Sequence, residues 1–448
     1  MLTVLFFNLT GIAMNTPENV KKIALNAIEN AREKIIEVGR YIWKNPEPGY
    51  REVKTSGYIV KELRKLGLQV TENLAITGFR ADIDTGRPGP TVAILGELDS
   101  LIIPTHPECD PATGAVHSCG HNIGGPGLIG TAIALLAVKD YLCGKIALIG
   151  TPAEEGIEMS YRKSLIEAGK IQAIAGKSQM ILEGVFDDVD VAFMNHLSSK
   201  YGYLDHNGAI NKKLIFRGKS CHAAAPQNGK NALNAATLAM SAIGLLRESL
   251  SYHNKIRIHG VITHGGEAVN VIPDEVVMDY MLRMPTLDDM IKLNNRFDNI
   301  VMHAAKAAEC EVTIESLNGY MPLYDDKELG SLVKEVVEYL DPGAYFDENS
   351  TFLASSTDMG DIATVIPAVH GYIPGMSGTS HGVDYAIADE YKSYVVNAQV
   401  EALVAIELLY GDGKKAEAIA RHKADLISIQ EYAETVKNVN RVLKSEDL

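Results

Sequence analysis

The chain of 448 residues has few cysteines, a single tryptophan and no excess of positive charge. Its five cysteines are odd in number and widely spaced, and no Cys-x-x-Cys pair occurs. This pattern argues against a disulfide framework and against a structural zinc knuckle, and it suits a reducing compartment. The formal net charge of −15 argues against nucleic acid or a membrane as a partner. We therefore expect a cytoplasmic globular protein.

Long apolar runs are also missing, because no segment reaches transmembrane length without charges. Residues 1–14 are apolar, but they are too short to span a bilayer, and no Lys or Arg precedes them as in a signal peptide. We interpret them as an N-terminal extension. Translation from Met14 and a secreted form stay open as alternatives.

Two short motifs bring together the side chains that bind divalent metals. Residues 117–122 (HSCGHN) contain Cys119 and His121, and residues 151–156 (TPAEEG) contain Glu154 and Glu155. Thiolate, imidazole and carboxylate are the ligand types of zinc, and His- and carboxylate-rich sites also suit manganese. Apolar runs typical of buried strands, residues 91–96 and 145–150, lead to Asp99 and to the second motif, and the carboxyl ends of such strands are where α/β sheets bind ligands. The combination predicts a catalytic metal site, whereas a lone Cys or His would more often be packing.

Two adjacent glutamates can take two different roles at such a site, metal ligand and general base. A carboxylate that binds a cation is a poor base, whereas its neighbour can take the proton of a water molecule activated by the metal. We assign Glu155 as the ligand and Glu154 as the general base. A solvated acidic pair at a helix start is the alternative for an arbitrary Glu-Glu sequence.

Hydrophobic periodicity divides the chain into two kinds of pattern. Up to about residue 205 strands alternate with helices, which predicts an α/β sheet with helices on both faces. Residues 208–318 follow a strand-helix-strand-strand-helix-strand order, which predicts an inserted two-layer ferredoxin-like domain. The α/β pattern resumes near residue 325. We therefore predict one discontinuous domain, 15–207 with 319–448, and an insertion at 208–318. Elements expected within the first domain include a single long helix at 18–39 and a strand at about 363–366.

These motifs and three further ones resemble a known family. The further motifs are residues 220–226 (SCHAAAP), 265–274 (GGEAVNVIPD) and 356–361 (STDMGD). The chain is similar from about residue 20 to 410 to the metallo-amidohydrolases and metallopeptidases that include aminoacylases, hippurate hydrolase, auxin-conjugate hydrolases and aminobenzoyl-glutamate hydrolases. The resemblance implies a zinc-exopeptidase-like α/β/α sandwich with an inserted ferredoxin-like lid domain that forms a homodimer.

The resemblance also implies roles for individual residues around one or two divalent metal ions, zinc or manganese. The implied metal ligands are Cys119, His121, Glu155, His196 and His381. Glu154 is implied as general base. His222 corresponds to a lid histidine that stabilises the oxyanion, and Asn270 to a substrate-orienting amide. Asp99 and His117 are expected to contact the ligand side chains and to hold them in the orientation that metal binding needs.

The chain departs from the common family pattern at two places. His121-Asn122 stands where His-Asp is usual, and residues 97–101 (ELDSL) replace Asp-x-Asp-Ala-Leu. Both changes resemble the branch of aminobenzoyl-glutamate hydrolases and related dipeptidases. We therefore expect a hydrolase that cleaves the amide of an N-acyl or N-aminoacyl amino acid, a small-molecule substrate. The alternatives are a metallo-dipeptidase, an aminohydrolase that cleaves the C–N bond of an aromatic amine, and a non-catalytic binding protein.

Overall fold

The structure is a computed structural model that describes residues 16–250, 255–348 and 352–447. The predicted extension at residues 1–14 lies outside the described residues. The α-helices in chain order are α1 Pro17–Asn30, α2 Arg32–Lys44, α3 Val53–Lys65, α4 Gly124–Val138, α5 Met159–Glu167, α6 Gly176–Leu182, α7 Ala232–Leu246, α8 Leu287–Ala307, α9 Lys327–Leu340, α10 Met359–Val365, α11 Asn397–Leu409, α12 Lys414–Ala420 and α13 Ile429–Val439. The strands are β1 Val70–Leu74, β2 Gly78–Asp84, β3 Thr91–Glu97, β4 Leu101–Ile102, β5 Ala115–Val116, β6 Lys145–Thr151, β7 Val191–Ser198, β8 Tyr201–Tyr203, β9 Gly208–Arg217, β10 Arg257–His264, β11 Glu275–Met284, β12 Glu311–Tyr320, β13 Phe346–Glu348, β14 Ala368–Pro374, β15 Met376–Ser377, β16 Ala386–Ile387 and β17 Arg441–Lys444.

Two units divide the described residues. The first comprises the described parts of Met1–Leu204, Tyr324–Thr351 and Ile362–Ile429. The second comprises the described parts of Asp205–Leu323, Phe352–Asp361 and Gln430–Leu448. Both units are therefore discontinuous in sequence.

An eight-stranded mixed sheet, in the order β1-β2-β6-β3-β7-β14-β8-β13, forms the centre of the first unit. Its four middle strands, β6, β3, β7 and β14, are parallel, and every residue of β3 is buried. Such a strand reads as a continuous apolar run because helices cover both of its faces. The almost fully buried α4 packs against α1, α2 and α11. The predicted α/β fold class is confirmed.

The second unit contains a five-stranded antiparallel sheet in the order β10-β11-β9-β12-β17. Helices α7 and α8 pack against each other and against this sheet. Strand β9 alternates buried and more exposed residues over its second half, as expected for a sheet with one covered face. The C-terminal strand β17 pairs with β12 and was not predicted from the sequence.

Two local predictions were wrong. The helix expected at 18–39 is two helices separated at Ala31, and neither proline nor glycine marks this break in the sequence. The strand expected at 363–366 is the end of helix α10, and the strand of this region begins at Ala368, after Pro367. A short apolar run cannot be assigned to helix or strand by periodicity alone, which explains the second error.

The expectation that no segment reaches transmembrane length was wrong: among the described residues, one helical stretch, His121–Tyr141, is long and apolar enough to cross a membrane by length and composition. Its apolar window is 83% buried inside the protein, as in the core helix of a globular domain.

Candidate metal centre

The carboxyl ends of neighbouring parallel strands place the candidate residues in the first unit. Strand β3 ends at Glu97 and leads to Asp99, while its neighbour β6 ends at Thr151 and leads to Glu154 and Glu155. Glu97 lies opposite Thr151 in the ladder between these strands. His196 lies near the end of β7, the other neighbour of β3. The strand ends thus converge as the sequence pattern indicated.

The five side chains predicted as metal ligands lie together. Cys119 Sγ is 3.4 Å from His196 Nε2 and 3.3 Å from His381 Nε2. Glu155 Oε1 is 3.4 Å from His381 Nε2 and 4.0 Å from His121 Nε2. Two overlapping triads, Cys119 with His121 and His196, and Cys119 with Glu155 and His381, each have ligand atoms within 4.8 Å of one another.

These separations match the chemistry of a metal site. Ligand atoms around one tetrahedral zinc ion, with bonds of about 2.0 to 2.3 Å, lie about 3.3 to 3.8 Å apart. Within the described part of the chain, His121 Nε2 and Glu155 Oε1 are buried and make no hydrogen bond of acceptable geometry, although each lies within ion-pair distance of other side chains of the cluster. Buried polar atoms are normally paired, so these two atoms fit a cation between them. The residues present therefore suit one or two divalent ions, with Cys119 common to both triads.

Backbone geometry supports the loops that carry two of these side chains. Gly120, between Cys119 and His121, has φ +91°, and a side chain there would collide with the Tyr385 hydroxyl. His381 has φ +63°, in the left-handed region that non-glycine residues rarely adopt. Its amide donates a hydrogen bond to the Ser118 carbonyl oxygen at 2.8 Å. Strained residues of this kind cluster at functional sites.

Asp99 connects two of the candidate ligands. Its Oδ1 is 3.1 Å from His121 Nδ1, and its Oδ2 accepts a hydrogen bond from the Glu155 amide at 2.9 Å. The Asp99 carbonyl oxygen is also 3.1 Å from His121 Nδ1. Because both partners of Nδ1 are acceptors, Nδ1 carries a proton, and Nε2 is the ring nitrogen that a cation at this site would meet.

Glu97 and Lys177 are charged residues of the site whose pairing the sequence did not reveal. The Lys177 ammonium is fully buried, 2.6 Å from Glu97 Oε1, while Glu97 Oε2 is 3.2 Å from His121 Nε2. The Glu97 and Glu154 carboxylates also approach within 4.8 Å of each other. Burial opposes the charge of Glu97, but Lys177 and His121 outweigh it and lower the pKa of Glu97. Because 80 residues separate the pair, sequence spacing offered no signal for it.

Burial and neighbouring charges together set the other pKa shifts at the site. It raises the pKa of the Cys119 thiol well above its ordinary value, and the Glu155 carboxylate acts in the same direction. Burial lowers the pKa of His196. For His121, burial opposes the charge, but Glu97 and Cys119 outweigh it and raise the pKa. A thiol of this kind becomes a thiolate when it coordinates a cation.

The remaining predicted residues lie in different surroundings. His117 is buried in the first unit, where burial and then His121 lower its pKa to about 3, so that its ring is neutral. His222 and Asn270 lie in the second unit, and both are exposed. The Ala223 amide, next to His222, donates a hydrogen bond to the Asn270 carbonyl oxygen at 2.9 Å. The roles of these three residues stay predictions.

Comparisons with known proteins place the chain among metal-dependent hydrolases. Residues 78–406 match the profile of peptidase family M20/M25/M40. The Xaa-Arg dipeptidase of Mus musculus is 30% identical over 392 residues, 83% of this chain and 84% of the relative. A p-aminobenzoyl-glutamate hydrolase chain of Escherichia coli is 30% identical over 317 residues, 66% of this chain and 61% of the relative.

The fold is also found among solved structures. A Bacillus subtilis protein, described as a dinuclear metal-binding peptidase of the M20 family, superposes with a TM-score of 0.63 at 20% sequence identity. The match covers 85% of this chain and 99% of that one. The family match spans most of the chain and includes Cys119, His121, Glu154, Glu155 and His381. The chain therefore belongs to peptidase family M20/M25/M40 and is a hydrolase that acts on C–N bonds.

Proposed function

We propose that the protein is a metal-dependent amidohydrolase that cleaves the amide bond of an N-acyl or N-aminoacyl amino acid. The observation that carries the proposal is the cluster of five donor side chains, Cys119, His121, Glu155, His196 and His381, at the separations of ligands on shared ions. When bound, zinc or manganese ions supply Lewis acidity toward the amide carbonyl group and lower the pKa of water.

Glu154 is the residue to which we assign proton transfer. It precedes Glu155 in the loop after β6, and its carboxylate is within 4.8 Å of ligand atoms of His121 and Glu155. From this position it takes the proton of the attacking water molecule and returns it to the leaving amine. His222 is assigned to stabilise the oxyanion, and Asn270 to orient the substrate, as the family resemblance implies.

The amine half of the substrate is an amino acid in this proposal because two relatives have such substrates in their names. One is a hydrolase of p-aminobenzoyl-glutamate, and the other is a dipeptidase for Xaa-Arg. A metallo-dipeptidase is the second candidate, favoured by the 30% identity to the Xaa-Arg dipeptidase over 83% of this chain. Both functions use the same metal centre, but a dipeptidase requires a free α-amine on the acyl half, whereas the first proposal covers acyl halves with or without one.

The experiment combines metal analysis with amine release. Wild type, Glu154→Gln and the matched control Glu158→Gln are analysed by elemental mass spectrometry and assayed on N-acyl amino acids, dipeptides and aminobenzoyl conjugates. Glu158 lies four residues further on and pairs with Arg51 at the surface. We expect bound zinc or manganese in all three proteins, and a loss of about 100-fold or more in kcat only for Glu154→Gln. Metal-free wild type without turnover would contradict the proposal.

We further propose that the unit around residues 208–318 forms a homodimer in the cytoplasm. Strand β10 is an edge strand of its sheet, and Val261 and Ile262 on it are 61% and 44% exposed. Leu238 and Leu245 are exposed on α7 of the same unit. An apolar edge strand is a template for pairing with another chain. Val261→Lys is expected to convert a dimer to a monomer in size-exclusion chromatography with light scattering, whereas a monomeric wild type would refute this pairing.

A further inference from the structure

The loop that carries Glu154 and Glu155 contains a strained residue directly before them. Ala153 has φ +54°, in the left-handed region, and it is completely buried. For a residue with a Cβ atom, this conformation costs about 1 to 2 kcal/mol. It persists only where the surroundings impose it. The direction in which the next two side chains leave the backbone depends on this turn.

Glu52 holds the amide side of Ala153. Glu52 immediately precedes α3 and is 0% exposed. Its Oε1 accepts a hydrogen bond from the Ala153 amide at 2.8 Å, and its Oε2 accepts one from the Thr77 hydroxyl. A buried carboxyl group thus serves as the acceptor for one peptide group of the loop.

Arg162 holds the carbonyl side of the same loop. It lies on α5 and is 1% exposed, which is unusual for an arginine. Its Nη1 donates hydrogen bonds to the carbonyl oxygens of Ala153 at 3.0 Å and Ile174 at 2.5 Å, and its Nη2 donates one to the carbonyl oxygen of Glu155. The rigid guanidinium fork therefore spans the peptide groups on both sides of the Glu154–Glu155 pair.

We infer that Glu52 and Arg162, together termed the Ala153 clamp, are positioning residues that hold Ala153 left-handed and thereby aim Glu154 and Glu155. This inference rests on the proposed function, in which these glutamates are base and ligand. The clamp residues act through the main chain of the loop. A displacement of about 1 Å at such a loop is enough to lower turnover by about 100-fold.

Matched variants distinguish the hydrogen bonds of the Ala153 clamp from the simple packing of its side chains. Glu52→Gln keeps an oxygen that accepts the Ala153 amide, whereas Glu52→Leu removes it. Arg162→Met keeps much of the side-chain volume but removes all the donors, and Arg162→Lys keeps the charge without the fork. We expect Glu52→Leu, Arg162→Met and Arg162→Lys to lower kcat by about 10- to 100-fold and to weaken zinc binding by a similar factor, while KM changes by less than about 3-fold. Glu52→Gln is expected to stay within about 3-fold of wild type in each quantity.

A second substitution tests whether the strain at Ala153 is what the clamp controls. Glycine adopts positive φ without the Cβ penalty, so Ala153→Gly reduces the need for a clamp. We expect Ala153→Gly to recover about tenfold of the kcat lost in Arg162→Met, in Arg162→Lys and in Glu52→Leu. A purely structural role for these residues predicts no such recovery.

Two results would overturn the inference. One is wild-type kcat and zinc affinity in Glu52→Leu and Arg162→Lys proteins that unfold thermally like wild type. The other is additive losses in the Ala153→Gly double variants. Zinc affinity keeps the test separate from the proposed function: a wild type that binds zinc but hydrolyses no amide refutes the function, while the effect of the clamp variants on zinc binding still decides the inference.

Discussion

At the scale of single residues, the candidate metal centre includes side chains that hold the candidate ligands in place as well as the ligands themselves. Asp99 is the clearest case, because one carboxylate holds the His121 ring and the Glu155 amide at the same time. Its position couples the loop after β3 to the loop after β6. Such partners fix the orientation of a ligand and commonly contribute about 10- to 100-fold to metal affinity.

Asp99→Asn is therefore expected to weaken zinc binding by about 10- to 100-fold. The new amide group presents an N–H donor to either His121 Nδ1–H or the Glu155 N–H, both of which need an acceptor. Competition with a coloured chelator measures the affinity. Asp82→Asn, a half-exposed carboxylate that pairs with Arg80, serves as control. An unchanged zinc affinity for Asp99→Asn would show that Asp99 does not orient the ligands.

At the scale of secondary structure, α4 determines how closely the helices of the first unit approach. Glycines on this helix face other helices without intervening side chains. A Cβ atom on Gly130 would lie 2.4 Å from the Ala398 Cβ atom of α11, and one on Gly127 would lie 2.8 Å from the Glu401 carboxylate. The start of α4 follows directly on the loop of Cys119 and His121, so this packing also positions the loop that carries these two candidate ligands.

Gly130→Ala is expected to lower the free energy of unfolding by about 1 to 3 kcal/mol, because the added methyl group overpacks the α4–α11 contact. Gly244→Ala on α7 is the matched control. Its Cβ atom would meet nothing within 4 Å, so the higher helix propensity of alanine should stabilise it by up to about 1 kcal/mol. Urea unfolding compares the two variants. Equal shifts of the same sign would contradict the close approach of α4 and α11.

Glu401 on α11 makes the same helix contact sensitive to pH. Burial raises its pKa to about 8, and its Oε2 accepts a hydrogen bond from the Thr131 hydroxyl at 3.1 Å. The folded protein therefore keeps a proton that the unfolded chain releases above its ordinary pKa of about 4.5. The contribution to stability is complete below pH 4.5 and is lost progressively as the pH rises to about 8. The total loss is on the order of 5 kcal/mol.

Thermal unfolding of wild type and Glu401→Gln between about pH 5.5 and 8.5 measures this loss. We expect the melting temperature of wild type to fall with rising pH relative to that of the variant, which has no proton to release. Parallel curves for the two proteins would mean that Glu401 titrates with an ordinary pKa.

The sequence predicted most of the elements and the cluster of candidate ligands because both have local signatures. Strand β3 is one apolar run, and Cys119 and His121 are separated by a single glycine. Three features lacked such signatures. The short apolar run that forms the end of helix α10 could equally be a strand. Strand β17 pairs with β12, which lies far earlier in the chain. Arg162 contacts its carbonyl partners through tertiary structure that the sequence pattern does not show. Long-range contacts of this kind carry no pattern in one sequence.

At the scale of the whole molecule, the chain combines a mixed α/β unit that contains the candidate metal centre with an antiparallel unit that presents an exposed edge strand. The net charge of −15 suits a protein that handles small molecules more than one that binds nucleic acid. The central claim is that Cys119, His121, Glu155, His196 and His381 hold the metal of a C–N hydrolase.

An anomalous difference map at the zinc absorption edge, from crystals of the zinc-loaded protein, tests this claim most directly. We expect one or two peaks among these five side chains, at about 2.0 to 2.3 Å from their donor atoms. Two peaks should share Cys119. Zinc bound only elsewhere, or a map without a peak at Cys119, would contradict the account.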